Sequence, residues 1–528
     1  MTKLVEHLQT LEKFDLIGPQ MSEADLEYAF KHVFTQESVY QSLLRTDRRQ
    51  LHQQVGEALE RLFAPALNSE NQAEAPDDLP LLLAYHFEKS SDTERALKYL
   101  KIAAAEAYAA YANQEAAELY SRALALLADK DYANRWDLLA EREKVLDRLG
   151  ERDRQATQLT LMQTLAELIA DDTRLATTHN RRAAYFDKIS EYQAAAEAAE
   201  VGLRVARRSG NRRLEAQSLN RLARAAWRRF DYPAVQKWAN EALDALKIVG
   251  DPATKTTSLL HLGRASYRLG QYDMALEYIR AAQDFTKYTD DHESAAVADL
   301  ILGWIYQRLG DYDLAEKHYQ LTLEKRRVIG DRYGEATALS HLGWLAYDQQ
   351  KSPTGLHYCL EALDISQSIG DRENEAYALA GLGLNHEQLG NLEVTRSNYE
   401  EALFIHRDIG AITLAIFDQA SLARIALALQ DHAAARKHIT VVAEWILAGN
   451  AQQFWDPWSI YLSAYQVLVA LTETETARKI LDEAHALLQQ RAKAISNDDL
   501  RRRFFEKVAA NREIEQAWQQ LHELDSQP

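Results

Sequence analysis

The sequence LGDYDLAEKHYQLTLEKRRVIGDRYGEATALSHLGWLAYD, residues 309–348, indicates the architecture of the protein because it recurs along the chain every forty residues. Residues 269–308 read LGQYDMALEYIRAAQDFTKYTDDHESAAVADLILGWIYQR, and the same frame continues from Leu389. Weaker copies extend back to Tyr111 and forward to Leu471, where the frame is displaced by two residues. A fixed period over this many copies indicates stacked repeats, none of which buries its apolar face alone.

Each copy predicts two antiparallel helices joined by a short turn. The turns read Gly310–Asp311–Tyr312 and Gly390–Asn391–Leu392, in which glycine ends one helix in the left-handed conformation and Asp or Asn caps the next. A small residue in the first helix lets the second helix approach closely. It follows a leucine in five copies: Leu262–Gly263, Leu302–Gly303, Leu342–Gly343, Leu382–Gly383 and Leu422–Ala423.

These units resemble tetratricopeptide repeats of the forty-residue kind over roughly residues 80–490. The resemblance implies an all-α fold, a right-handed α-solenoid whose first helices line a concave surface. Arrays of this kind usually bind partners and are rarely catalytic.

Composition narrows the class of protein further. The 528 residues hold 61 Lys and Arg against 79 Asp and Glu, a net charge of −18, which disfavours binding to nucleic acid or to anionic membranes. The single cysteine, Cys359, excludes an intramolecular disulfide. No run of 18 apolar residues occurs, and the start, MTKLVEHLQTLEKFDLIG, lacks the apolar stretch of a signal peptide. We therefore expect a soluble cytoplasmic protein.

The two ends carry a second resemblance. Residues 26–60, LEYAFKHVFTQESVYQSLLRTDRRQLHQQVGEALE, resemble the winged-helix-like arm that follows the nucleotide-binding module of STAND-class signalling ATPases. Residues 83–124 look like the entry to the repeat array of such proteins, and residues 498–514 resemble its closing helix. Bacterial transcription activators and ATPase-linked nucleotide cyclases share this arrangement. It predicts an arm (1–62), a linker (63–80), an array of about nine to ten repeats (81–490) and C-terminal capping helices (491–528).

The sequence offers no catalytic motif. The phosphate-binding string G-x-x-x-x-G-K-[ST] of an NTPase is missing, as are HExxH, GxSxG and CxxC. Cys359 is expected to be a small buried hydrophobe, and His261 and His341, two repeats apart, are too distant to share a metal. We predict no enzymatic activity, cofactor or metal site. The chain is expected to be a fragment that has lost its NTPase module, or else a degenerate stand-alone relative.

The first helices also suggest a binding site. In tetratricopeptide arrays the residues just after the Leu-Gly pair, and those three and four positions later, line the groove, and Asn180 and Asn220 precede the pair at similar offsets. The resemblance therefore implies groove positions that combine arginines with aromatic rings, a combination suited to an acidic or aromatic ligand. They are Asn220, Arg224, Trp227, Arg228, Arg264, Tyr267, Arg268, Trp304, Arg308, Trp344 and Tyr347.

Charge is unevenly distributed around these positions. Residues 201–270 hold 14 Lys and Arg and 5 Asp and Glu, a local charge of +9 in a chain that is otherwise −27. Two explanations fit this charge distribution equally well. Either the groove binds an anionic partner, or the arginines simply pair with carboxylates on neighbouring helices. The aromatic segment FWDPWS (residues 454–459) is a candidate contact patch, although filling of the gap between displaced repeats is the favoured interpretation.

The sequence thus predicts a non-catalytic scaffold that is the sensor part of a STAND-type regulator. Its partner would be a protein or peptide, of which an acidic one is an example, or a small anionic or aromatic ligand. Two alternatives stay open: the regulatory half of a larger enzyme, an NTPase or nucleotide cyclase, or a free-standing adaptor.

Overall fold

Antiparallel helix pairs follow one another along the chain in the computed structural model, which describes residues 2–14, 16–21, 26–64, 76, 78–287, 291–451 and 456–525. Consecutive helices pack against each other between residues 79 and 169 and again between residues 192 and 493, which confirms the predicted solenoid class. A two-stranded antiparallel sheet near the start is the exception among the described residues. No helix in the described part of the chain has the length and apolarity needed to cross a bilayer.

The first compact unit spans Met1–Thr178. It begins with α1 and a hairpin in which Ile17 pairs with Phe30. Its elements are α1 Thr2–Lys13, β1 Ile17–Met21, β2 Leu26–Phe30, α2 Val33–Ser42, α3 Arg45–Leu62, α4 Leu79–Ser90, α5 Thr93–Ala109, α6 Asn113–Leu126, α7 Tyr132–Leu149, α8 Arg152–Ile169 and the first part of α9 Asp172–Lys188.

Helix α3 is tied to α5 by a polar network. The Arg95 guanidinium lies 3.1 Å from Glu57 and 3.1 Å from Glu60, and the Tyr99 hydroxyl donates to Glu60 at 2.5 Å. This network places the predicted arm helix and the first helix pair in one compact unit. The predicted boundaries after 62, 80 and 490 stay predictions, and residues 65–75 and 77 of the predicted linker lie outside the described residues.

The second compact unit spans His179–Pro528. Its helices after α9 are α10 Tyr192–Ser209, α11 Arg212–Arg228, α12 Tyr232–Leu246, α13 Pro252–Arg268, α14 Tyr272–Thr286, α15 His292–Arg308, α16 Tyr312–Val328, α17 Arg332–Asp348, α18 Ser352–Ile369, α19 Arg372–Gln388, α20 Leu392–Asp408, α21 Ile412–Ala428, α22 His432–Leu447, α23 Pro457–Ala470, α24 Thr474–Lys493, α25 Asp498–Glu506 and α26 Ala509–Asp525.

The repeated residues pack the helices together and cap them as predicted. A Cβ atom at Gly303 in α15 would lie 2.3 Å from Cε1 of Tyr319, a fully buried ring on α16, so only glycine permits this approach. Gly310 has φ of +72°, and Asp311 then accepts the amide hydrogen of Leu314. Asn391 is an exception to the predicted capping, because its side chain makes no cap bond.

The last helices of the second unit pack against earlier inter-helix turns. Phe504 on α25 is fully buried and lies 6.2 Å from the ring of Tyr272, measured between centroids. The Tyr312 hydroxyl donates to the Lys507 carbonyl at 3.1 Å, and the Ser496 amide donates to Asp273 at 2.6 Å. Residues separated by about two hundred positions are therefore brought together at the starts of the second helices α14 and α16.

Candidate functional site

A cavity of about 890 Å³ lies within the second unit, and we call it the arginine cavity. Its walls come mainly from the first helices of five successive pairs, α11, α13, α15, α17 and α19. Eight of the eleven predicted groove residues line it: Arg224, Trp227, Arg228, Arg264, Tyr267, Arg268, Trp304 and Arg308.

Helix geometry explains why these side chains converge. Within each helix the lining positions are three or four residues apart, so they share one face. On α11, α13 and α15 the eight predicted groove residues that line the cavity occupy the last turns, where the partial negative charge of the helix end favours a cation. The sequence thus places an arginine at the end of three neighbouring helices, namely Arg228, Arg268 and Arg308.

Several cavity arginines have carboxylate partners. Arg224 and Arg228 share the buried carboxylate of Asp187, at 2.5 and 3.5 Å. Arg308, itself buried, lies 2.7 Å from Asp456 just before α23. Simple charge pairing therefore accounts for these residues. One carboxylate serving two guanidinium groups nevertheless leaves a positive excess.

Arg264 and Arg268 differ from these arginines. Neither forms an ion pair with a carboxylate in the described chain, and the shielded Nε atom of each makes no hydrogen bond to any described residue. Burial, followed by the charges of Arg224, Arg326, Arg228 and Arg268, lowers the pKa of Arg264 to about 10. The charge of Arg264 is therefore disfavoured by its surroundings, although at neutral pH it stays ionised.

Aromatic rings form a continuous wall beside these cations. Trp304 lies 6.0 Å from Tyr267, centroid to centroid, and donates its Nε1 hydrogen to Nε2 of His341 at 3.0 Å. The guanidinium of Arg268 stands 5.4 Å from the ring centre of Trp227, a cation–π distance. The cavity therefore combines cationic groups with planar apolar surfaces.

The two histidines of the cavity are neutral at physiological pH. Burial is the main cause that lowers the pKa of His261 to about 3, with Arg264, Arg224 and Arg221 adding to it. Burial also lowers the pKa of His341 to about 3, with Arg268 and Arg308 adding to it. The positive charge of the cavity therefore comes from its arginines alone.

Three predicted groove residues do not line the cavity. Asn220 is buried between repeats, where its side chain donates to the Thr254 carbonyl at 3.1 Å and accepts from Ser258 at 2.9 Å. Trp344 is buried and stacks on Tyr377, with centroids 4.6 Å apart. Tyr347 is partly buried. Asn220 and Trp344 thus join and support the walls, and Asn180 repeats the Asn220 pattern with Ser218.

Residues at the opposite ends of the first helices also line the cavity, although the sequence pattern did not predict them. Glu293, Tyr333 and Glu373 line the cavity from the same repeat position, forty residues apart, in the first turns of α15, α17 and α19. The two glutamates are exposed at the rim, whereas Arg264 and Arg268 are partly buried and Arg308 is buried. The forty-residue register carries this signal, but the predicted groove positions follow the Leu-Gly pair and do not include the first turn of each helix.

The other candidate residues are buried in the core or lie outside the residues that the structure describes. Cys359 is fully buried, as predicted, and burial raises its pKa to about 12. Across the described ranges no cluster of His, Cys, Asp and Glu is arranged to hold a metal ion. Phe454 and Trp455 of the FWDPWS segment lie outside the described residues, whereas Trp458 is fully buried.

Comparison with known proteins supports the repeat assignment. The family model for the tetratricopeptide repeat matches residues 255–327 and 294–354, so the chain contains tetratricopeptide repeats. No curated protein matches the sequence.

Solved structures resemble the fold at low sequence identity. A Rap protein complexed with competence and sporulation factor is 14% identical, with a TM-score of 0.51 over 69% of this chain and all of that one. A STAND protein with a tetratricopeptide repeat sensor from Pyrococcus horikoshii is 17% identical, with a TM-score of 0.44 over 90% of this chain and 68% of that one. At 14% identity the likeness to the Rap protein shows the fold alone.

Proposed function

We propose that this protein is a non-catalytic repeat scaffold that binds a protein or peptide partner in the arginine cavity. The observation that carries the proposal is the pair Arg264 and Arg268, two cations without a carboxylate partner in the described chain, beside an aromatic wall. Removing cations from water is costly unless something compensates them. A partner that supplies negative charge would provide that compensation.

The size of the cavity bears on what enters it. About 890 Å³ is within the range of pockets that enclose a small molecule or a few residues of a peptide. A folded partner would therefore insert a side chain or a terminus, while the rest of its surface lay outside.

The test compares two double variants with equal changes in charge. Arg264→Glu with Arg268→Glu reverses the cavity charges, whereas Arg204→Glu with Arg229→Glu reverses two exposed arginines of the same region that do not line the cavity. Partners are cross-linked in lysate of the source organism, identified, purified and remeasured by titration calorimetry. We expect at least tenfold weaker binding by the cavity variant only, with unchanged circular dichroism. Equal binding by both variants refutes the proposal.

We propose further that the scaffold is the sensor part of a STAND-type regulator, a role supported by the resemblance of residues 26–60. In that role, partner binding would alter nucleotide hydrolysis by an NTPase module. The test is to read the full gene and, where it encodes a phosphate-binding loop, to measure hydrolysis with and without the partner. A gene that encodes no such loop, in this chain or beside it, contradicts the role.

A further inference from the structure

The partner-binding cavity also carries information about the chemistry of what it binds. We infer that the arginine cavity is a site for a single oxyanion, a carboxylate or a phosphate, attached to an aromatic or apolar group, and that it excludes polyanions. This inference rests on the proposed function, since it names the ligand class of the same cavity.

The geometry assigns the oxyanion to Arg264. The Arg264 side chain lines the cavity, is partly exposed there and forms no ion pair with a carboxylate in the described chain. Guanidinium groups bind carboxylate and phosphate through paired N–H donors, so a partly exposed guanidinium of this kind is available for a planar anion. Arg268, one helical turn later on the same face of α13, is likewise partly exposed in the cavity and forms no ion pair with a described carboxylate. Two such donors on one helix make a site for one anion.

The charge around this point favours an anion. Arg224 and Arg228 share the single carboxylate of Asp187. The nearby His261 adds no charge, and its Nδ1 has no hydrogen-bond partner among the described residues. An entering oxyanion would therefore compensate the excess charge without displacing an existing ion pair.

The wall next to Arg264 predicts the second part of the ligand. Tyr267 and Trp304 lie side by side on α13 and α15, and Trp227 lies on α11 beneath the guanidinium of Arg268. Planar rings offer stacking and apolar contact but cannot compensate charge. An aryl or other apolar group joined directly to the oxyanion fits this surface.

The rim sets a limit on total charge. Glu293 and Glu373 are exposed carboxylates in the first turns of α15 and α19, on the lining opposite the arginine-bearing helix ends. A ligand with one anionic end places only its neutral or cationic part beside them, whereas a polyanion brings like charges together. The cavity therefore selects the position of a charge as well as its sign.

The test uses four small probes that differ in head group, in net charge and in the presence of an aromatic ring. Phenyl phosphate and phenylacetate are the two oxyanions, benzyl alcohol is the neutral analogue, and tripolyphosphate is the polyanion. Binding to the full chain is measured by calorimetry and by fluorescence of the cavity tryptophans. We expect 1:1 binding of at least one aryl oxyanion, tenfold or more weaker binding of benzyl alcohol, and no gain from tripolyphosphate. The stronger of the two oxyanions identifies carboxylate or phosphate as the natural head group.

Variants assign the effect to named residues. Arg264→Gln should weaken binding of the aryl oxyanion at least tenfold, whereas Arg204→Gln, at an exposed position outside the lining, should leave it unchanged. The double variant Glu293→Gln with Glu373→Gln should strengthen binding of tripolyphosphate. Arg264→Met serves as a second uncharged variant. Neither replacement of Arg264 is expected to impair folding, because the cation that it removes is poorly compensated.

The outcomes separate this inference from the proposed function. The inference is overturned when benzyl alcohol binds as well as the aryl oxyanions, when tripolyphosphate binds best, or when Arg264→Gln changes nothing. A protein partner that is lost by Trp304→Ala but retained by Arg264→Gln keeps the proposed function and overturns the oxyanion. A partner retained by every cavity variant overturns both.

Discussion

Replacing Arg264 with glutamine should stabilise the protein in the absence of ligand. The reason is that burial and neighbouring arginines lower the pKa of this guanidinium well below its ordinary value, to about 10. A cation whose pKa is lower in the folded state than in the unfolded state destabilises the fold at every pH at which both states are charged. That condition holds below pH 10, and the destabilisation fades only as pH rises from there towards the ordinary pKa of arginine.

The magnitude follows from the difference between the two pKa values. At about 1.4 kcal/mol per pKa unit, it corresponds to about 3 kcal/mol against folding. The Arg264 side chain is partly exposed, so solvent screens part of this energy. We therefore expect Arg264→Gln to raise the free energy of unfolding by about 1–2 kcal/mol at pH 7. The exposed control Arg204→Gln should change it by less than about 0.5 kcal/mol.

Urea unfolding at pH 7, followed by circular dichroism and by tryptophan fluorescence, measures the effect. Added sodium chloride should stabilise the wild type more than Arg264→Gln, because salt screens repulsion among the cavity arginines. A variant that unfolds at lower urea than the wild type, with Arg204→Gln unchanged, would refute the reasoning. Such a result would mean that Arg264 has a stabilising partner.

Three further predictions address packing, the cavity ion pair and pH. Gly303→Ala should lower the free energy of unfolding by about 1–3 kcal/mol, since the added methyl group meets Tyr319 at 2.3 Å; a thermal midpoint equal to wild type contradicts this. Asp456→Asn should cost about 3 kcal/mol by removing the carboxylate that lies 2.7 Å from the buried Arg308, and phenyl phosphate should restore part of the loss in a thermal melt. The wild-type fold should lose about 2 kcal/mol of stability through His261 between pH 7.5 and 5, and His261→Gln should remove this loss. In the folded state the pKa of His261 is about 3, below the ordinary 6.5, so only the unfolded chain takes up a proton in this pH range. Equal urea midpoints for variant and wild type at both pH values contradict the prediction.

The sequence was sufficient for those parts of the fold that depend on local chemistry and period. The Leu-Gly pairs and the Gly-Asp turns repeat every forty residues because each performs the same task in its own repeat. Gly303 against Tyr319 is such a task, and it involves two consecutive helices only. A single sequence reveals contacts of this kind because their pattern recurs.

Contacts that occur once leave no such pattern. Asp456 pairs with Arg308 across 148 positions, and Lys507 accepts a hydrogen bond from Tyr312 across 195. Both depend on how far each repeat rotates relative to the next, a quantity that accumulates over several helix pairs and is not encoded at any one position. For the same reason the sequence did not distinguish arginines with a carboxylate partner, such as Arg308, from Arg264.

The arginine cavity also changes the meaning of the net charge of −18. At physiological ionic strength charges interact over about 8 Å, so an approaching anion first meets the predominantly acidic exterior and the rim carboxylates. Only a group small enough to pass them comes close to Arg264 and Arg268. Long-range repulsion and short-range attraction together favour a compact ligand with one anionic head group over an extended polyanion. The uncompensated charge of Arg264 destabilises the folded protein, and an anionic ligand that neutralises it restores that stability. The stability gained on binding adds to the affinity of the ligand.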